Sequence, residues 1–191
     1  NERHLRHSRG VVNKMSQTQV QRAFIADRSK LMIDMYRLTT NLTTSDQEPI
    51  NANLERVDNA EEFSNVMGDA LINAGMTQSS GVFTFPSTGK YFVRFQTNAT
   101  GTNTPRYIGV FIQLTNDNGT TYKPISTAYT NLDDAHSSGS WITVSTDGYV
   151  DITDTSTHKV RFNVGAESNV TFYGSTGRNY TYMEFVRVGE T

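Results

Sequence analysis

Carboxylates are the groups best able to do chemistry in this 191-residue chain, and they gather in two places. Asp133 adjoins Asp134, and Asp147, Asp151 and Asp154 follow within one short stretch. A hard cation needs several oxygens converging at ~2.3–2.6 Å, which loops at one end of a β-domain supply. The aspartate spacing matches no calcium loop, so solvated surface charge is the expectation. Asn116-Asp117-Asn118-Gly119 begins like such a loop but lacks its downstream glutamate, which leaves a hairpin turn. Glycoside cleavage needs two carboxylates at a set separation in space, and no pair stands out here. Gly174-Ser175-Thr176-Gly177 lacks the spacing of a nucleophile elbow. His4 and His7 lie among arginines, while His136 and His158 have no partner at metal-ligand spacing. Cysteine is absent, which excludes disulfides, thiolate nucleophiles, cysteine-held zinc and iron–sulfur clusters. The expectation is a protein that is not an enzyme and uses no cofactor or metal.

The elements that would carry any site are strands. Apolar residues make up 36% and charged residues 19%, both below the usual share, and 26 threonines with 14 glycines fill the gap. Branched threonine suits a pleated surface, and glycine suits tight turns. Ten Phe, nine Tyr and one Trp supply enough bulk for a core. No apolar run reaches the ~18 residues of a membrane helix, and no apolar stretch precedes Val11, so neither membrane nor signal peptide is expected.

Charge divides the chain. Residues 1–46 carry eight Lys/Arg against four Asp/Glu, whereas the remainder carries nine against fifteen. Residues 1–14, with Arg3, Arg6 and Arg9, read as an extended basic arm. From Ser16 to Leu42 the residues Val20, Phe24, Leu31, Met35, Leu38 and Leu42 recur at helical spacing, which predicts an amphipathic helix packed on a partner or a short three-stranded stalk. Asp27 and Asp34 spoil a clean coiled-coil seam. Thr39–Glu48 reads as a linker closed by Pro49. Residues 1–48 are thus expected to be an anchor, and 49–191 a β head.

Within the head, Val82–Pro86, Tyr91–Gln96, Tyr107–Leu114, Trp141–Val144, Tyr149–Ile152, Lys159–Val164, Val170–Tyr173 and Tyr180–Val188 read as strands, with a turn at Asp147-Gly148. Regular spacing of short strands points to a sandwich or jelly roll. Asp58–Leu71 has helical propensity, with Asp58 as a cap.

Gly81, Phe83, Thr84, Pro86, Gly89 and Tyr91 form the pattern Gly-x-Phe-Thr-x-Pro-x-x-Gly-x-Tyr, preceded by Phe63-x-x-Val66 and followed by the closing strand YMEFVRV. With Ser138-Gly139-Ser140 and HKVRFNV, this resembles the globular head of complement component one-q, a tumour-necrosis-factor-like jelly roll. The resemblance covers about residues 60–188. It implies a ten-stranded, trimeric jelly-roll sandwich in which Phe63–Leu71 runs extended. Phe83, Phe85, Tyr91, Phe95 and Phe185 are then expected in the core or at the trimer axis. Heads of this kind occur in bacteriophage virion and appendage proteins, and the ending NYTYMEFVRVGET is similar to theirs. The collagen repeat of the animal proteins is missing.

Three functions stay open. The first is a non-enzymatic virion surface protein, a homotrimeric head held on a capsid or tail carrier by residues 1–48. Within it stand a capsid decoration or head fibre and, alternatively, a tail-fibre tip gripping host glycans. The second is a secreted lectin-like or signalling ligand, and the third an enzyme. Arg3, Arg6 and Arg9 are expected to meet an acidic protein surface rather than nucleic acid, since no aromatics interleave with them. Val20, Phe24, Leu31, Met35 and Leu38 would pack on the carrier or on trimer mates. The tyrosines and Trp141 are expected in the core or at the axis, with a sugar-stacking platform as the alternative.

Overall fold

Alternation of inward and outward side chains along long strands dictates two facing layers. The computed structural model describes residues 31–57, 72–133 and 139–191. Eleven strands follow in order: β1 (Met32–Leu38), β2 (Leu42–Gln47), β3 (Leu54–Arg56), β4 (Thr77–Ser79), β5 (Val82–Thr84), β6 (Gly89–Gly101), β7 (Ile108–Thr115), β8 (Lys123–Thr130), β9 (Ser140–Ile152), β10 (Lys159–Phe172) and β11 (Tyr182–Gly189). Every pairing is antiparallel. One layer reads β3-β1-β11-β6-β9. In the other, β10 is central, with β7 and then β8 on one side and β2 and β5 on the other. Thr171 and Phe172 of β10 also pair Thr100 and Ala99 of β6, so the two layers are one curled sheet. This is an all-β jelly roll.

The core lies between the layers. Phe83 of β5 packs 5.2 Å from Phe185 of β11, and Phe162 of β10 lies 5.3 Å from Phe95 of β6. Tyr36 of β1 meets Phe83 edge-on at 5.1 Å. Each ring buried this fully contributes roughly 1.5–3 kcal/mol by removal from water, and edge-on aromatic pairs add to that. Gly81 enters β5 at φ +77°, where a Cβ would lie 2.1 Å from the Ile50 carbonyl oxygen, so the first glycine of the motif is needed sterically.

Several expectations need correction. The helical period over Leu31, Met35, Leu38 and Leu42 does not mark a helix: β1 and β2 occupy that stretch. Residues 31–48 therefore belong to the β unit, which runs from Leu31 to Thr191, and the linker expected at Thr39–Glu48 is largely β2. Asp147-Gly148 is not a turn. Both residues pair β6 in the unbroken thirteen-residue β9, Gly148 opposite Val93 and Asp147 opposite Arg94. Lys159–Val164 and Val170–Tyr173 are likewise parts of one strand, β10, whose pairing with β2 shifts register between Gly165 and Val170. The eleven strands exceed by one the ten that the resemblance implies. Phe63-x-x-Val66 and the Asp58–Leu71 stretch lie outside the described residues.

Candidate functional site

A strand paired on both edges can act only through its faces, so function in this head is sought on the outward side chains of the two layers and in the connecting loops. The core-facing residues named from sequence are accounted for: Phe83, Phe85, Tyr91, Phe95 and Phe185 are all buried within a single head.

The outward face of the β3-β1-β11-β6-β9 layer carries an ordered pattern set by register. Ile33 of β1 stands opposite Val186 of β11, Val186 opposite Phe92 of β6, and Phe92 opposite Tyr149 of β9. Four consecutive strands thus contribute one apolar or aromatic side chain each to a single row, and Ile72 extends it by bridging Ile33. Tyr149 is 74% exposed and its ring lies 5.4 Å from that of Phe92. The next row is Met35, Glu184, Arg94 and Asp147, with Arg94 3.9 Å from each carboxylate. A third row holds Tyr182, Gln96 and Ser145, in which the Tyr182 hydroxyl donates to Gln96 at 3.2 Å. Trp141, 57% exposed, stacks on Tyr173 at 4.0 Å, and Tyr180 abuts Tyr173 at 5.9 Å. This face thus carries an apolar row beside a row of paired ions, with aromatics at its border.

The anchor residues fall differently. Arg3, Arg6, Arg9, Val20 and Phe24 lie outside the described residues. Leu31 precedes β1 and is exposed, Met35 lies on the face just described, and Leu38 is in the core. Leu38 is therefore a structural residue rather than an anchor: at 1% exposure it has no surface to offer a partner.

Asp117 and Asp154 are taken up by their own loops, and Glu167, in β10, by Arg106. Asp117 accepts from the Thr115 hydroxyl at 2.5 Å and from the Thr121 amide at 2.9 Å. Asp154 accepts from the Ser156 hydroxyl at 2.6 Å and amide at 2.8 Å, and its carbonyl oxygen lies 2.8 Å from His158 Nδ1. Glu167 takes the backbone and guanidinium N–H groups of Arg106. Among the described residues no cluster of three or more His, Asp or Glu side chains is placed to hold a metal. Ser175 is a turn residue whose hydroxyl accepts from Gly177 and Arg178 amides. His136 and Asp134 lie outside the described residues.

These bonds have a pH consequence. The Thr115 hydroxyl holds the Asp117 carboxyl below its ordinary range, Ser156 does the same for Asp154, and the Arg106 amide for Glu167. A depressed folded-state pKa contributes stability that is complete above the unfolded value of ~4 and lost as pH falls through the lower folded value. The melting temperature should hold from neutral pH to about pH 4 and then fall. Asp117→Asn should melt lower than wild type at neutral pH, and the gap should close in acid. Calorimetric melts across that range check both.

The strand order, the two facing layers and the closing strand β11 between β1 and β6 define a tumour-necrosis-factor-like jelly roll. Solved structures agree. The chain superposes on murine APRIL with a TM-score of 0.56 at 10% identity, covering 83% of this chain and all of that one. It superposes equally on Eiger TNF from S. frugiperda, with a TM-score of 0.56 at 11% identity, covering 84% and 94%. No protein-family model matches the sequence, and no curated protein matches it.

Sequence reasoning named Met35 as an anchor residue and placed Trp141 and the tyrosines in the core or at the axis, but missed Ile33, Val186 and the row they make with Phe92. Its signal was present: Phe92, Arg94 and Gln96 are the outward half of the alternation whose inward half was recognised.

Proposed function

We propose that the protein is a non-enzymatic, homotrimeric jelly-roll head displayed on a bacteriophage particle as a capsid decoration or head fibre, with its N-terminal segment as the anchor. The observation that carries the assembly is the apolar row Ile33–Val186–Phe92–Tyr149 across four strands of one face. Second and third copies of the head would cover it, as the resemblance to complement and tumour-necrosis-factor heads implies. The virion setting rests on a cysteine-free, threonine-rich head, a basic N-terminal segment, and a closing strand similar to those of phage appendage proteins. A secreted ligand is the second reading, favoured by the likeness to Eiger TNF.

Sedimentation at micromolar concentration should give three chains of 21.3 kDa. Phe92→Glu, which puts a charge in the centre of the row, should yield a folded monomer with unchanged circular dichroism. A wild-type monomer would overturn the assembly. Labelled antibody on purified particles from the host culture checks the setting, since a secreted ligand would leave the particles unlabelled.

A further inference from the structure

The outward face of the other layer holds a cavity of about 730 Å³, within the size range of small-molecule sites. Register builds its floor. Asp46 of β2 stands opposite Gly165 of β10, Gly165 opposite Gly109 of β7, and Gly109 opposite Tyr129 of β8. Two glycines in a row leave bare backbone between a carboxylate on one bank and an aromatic ring on the other. A Cβ on Gly109 would lie 2.8 Å from Tyr129 Cε1, so this glycine lets the ring lie down over the strand. Phe111 and Tyr107 complete the aromatic bank, their rings set edge-on to Tyr129 at 5.6 and 6.2 Å. Tyr129 is 62% exposed, too open for a core residue.

The polar groups of the cavity are unequal in what they already bond. Gln113 accepts from Arg161 Nε through Oε1, which leaves its amide hydrogens to donate elsewhere, and Arg161 also pairs with Glu48. Among the described residues the Asp46 carboxylate has no hydrogen-bond partner, Thr44 using only its backbone. Asn163, opposite Phe111 on the same face, is 3% exposed, and its Oδ1 has no hydrogen-bond partner. A buried acceptor left unsatisfied is costly, so a ligand hydroxyl delivered there is rewarded.

We propose that this cavity binds a neutral saccharide. The negative ring faces receive the polarised C–H groups of a pyranose, while its hydroxyls donate to Asp46 and to Asn163 Oδ1 and accept from Gln113. An anionic sugar would meet the Asp46 carboxylate and be repelled. A quaternary ammonium ion suits three aromatic rings and a carboxylate. It would, however, leave Asn163 Oδ1 and the Gln113 amide unanswered. The site lies on the layer opposite the apolar row, and the inference does not depend on the trimer or the particle.

The test uses the full chain with maltotriose, cellotriose, chitotriose and mannotriose as probes, read by saturation-transfer NMR and calorimetric titration at millimolar sugar. At least one should bind, while sialyllactose and tetramethylammonium should not. For that sugar, Tyr129→Ala, Asp46→Asn and Gly109→Ala should each weaken binding by about tenfold or more, as loss of a central contact does. Gly109→Ala removes no polar group and acts by lifting the Tyr129 ring. Asp151→Asn, exposed on the other layer, should bind as wild type. Silence from all four sugars overturns the proposal. So does preferential binding of tetramethylammonium or sialyllactose, or binding untouched by the three variants.

Discussion

Deleting residues 1–48 should leave a chain that does not fold, whereas deleting residues 1–30 should leave the head intact. The compact unit begins at Leu31, so the shorter deletion cuts ahead of β1. The longer one removes β1 and β2 together. β1 lies between β11 and β3 and pairs with both, and it places Met32, Tyr36 and Leu38 in the core. Its loss exposes one edge of β11 and strips an aromatic partner from Phe83. β2 covers the edge of β10 at residues 164–172, and its loss opens a second edge. Three large buried side chains at roughly 1.5–3 kcal/mol each approach the whole stability of a small domain, ~5–15 kcal/mol. Circular dichroism and thermal melts of the two truncated proteins separate the outcomes. A cooperative melt from the 49–191 fragment would mean that β1 is dispensable to the core.

That boundary is also where the sequence is hardest to read, and the reason is physical. Half-buried strands betray themselves by alternation, because one face is apolar and the other polar. In β6 this held: Tyr91, Val93 and Phe95 point inward between Phe92, Arg94 and Gln96, and the strand was legible. β1 is apolar on both faces. Met32, Tyr36 and Leu38 serve the core, while Ile33 and Met35 lie on the outward face, so the period of two disappears and spacings of three and four remain. An inward aspartate, Asp34, deepens the confusion, since it interrupts the apolar set where a strand reading expects it. The Asp147-Gly148 pair misleads for another reason. It has the composition of a tight turn, but β9 passes straight through it because β6 runs alongside for thirteen paired residues. Tertiary pairing overrides a local turn preference there. The Gly81-to-Tyr91 motif was legible because its glycine is forced by backbone contact and its aromatics by the core. The outer cavity was not: Asp46, Gly109, Tyr129 and Gly165 lie far apart in the chain, and only strand register brings them into one row.

Asp34→Ala should destabilise the head by about 3–5 kcal/mol, the cost of leaving a buried ion pair half made. Asp34 is fully buried, and both carboxylate oxygens are used. Oδ1 accepts from the Met35 amide at 2.9 Å and from Arg56 Nε at 2.8 Å; Oδ2 accepts from Arg56 Nη2 at 3.2 Å and from the Met76 amide at 2.7 Å. One side chain on β1 thereby ties down β3 through Arg56 and the segment before β4 through Met76. Arg56 also donates to the Met76 carbonyl at 2.7 Å and lies 5.0 Å from the Tyr36 ring, whose hydroxyl donates to that same carbonyl at 3.1 Å. Truncation strands the Met76 amide away from water, and the Arg56 head, about one-third exposed, escapes only in part. Asp34→Asn tests charge against shape. It keeps the volume but turns an NH2 group toward the donors on Arg56 and Met76, so it too should cost more than a typical surface change. Arg56→Ala leaves the carboxylate buried with two backbone donors and should also be severe. Because the two residues act as a unit, the double variant should lose less than the sum of the singles, by about 1–3 kcal/mol. Urea melts of the four proteins supply the cycle. Additive losses would mean that Asp34 and Arg56 stabilise the head independently, and that the tie between β1, β3 and the Met76 segment is carried by the backbone alone.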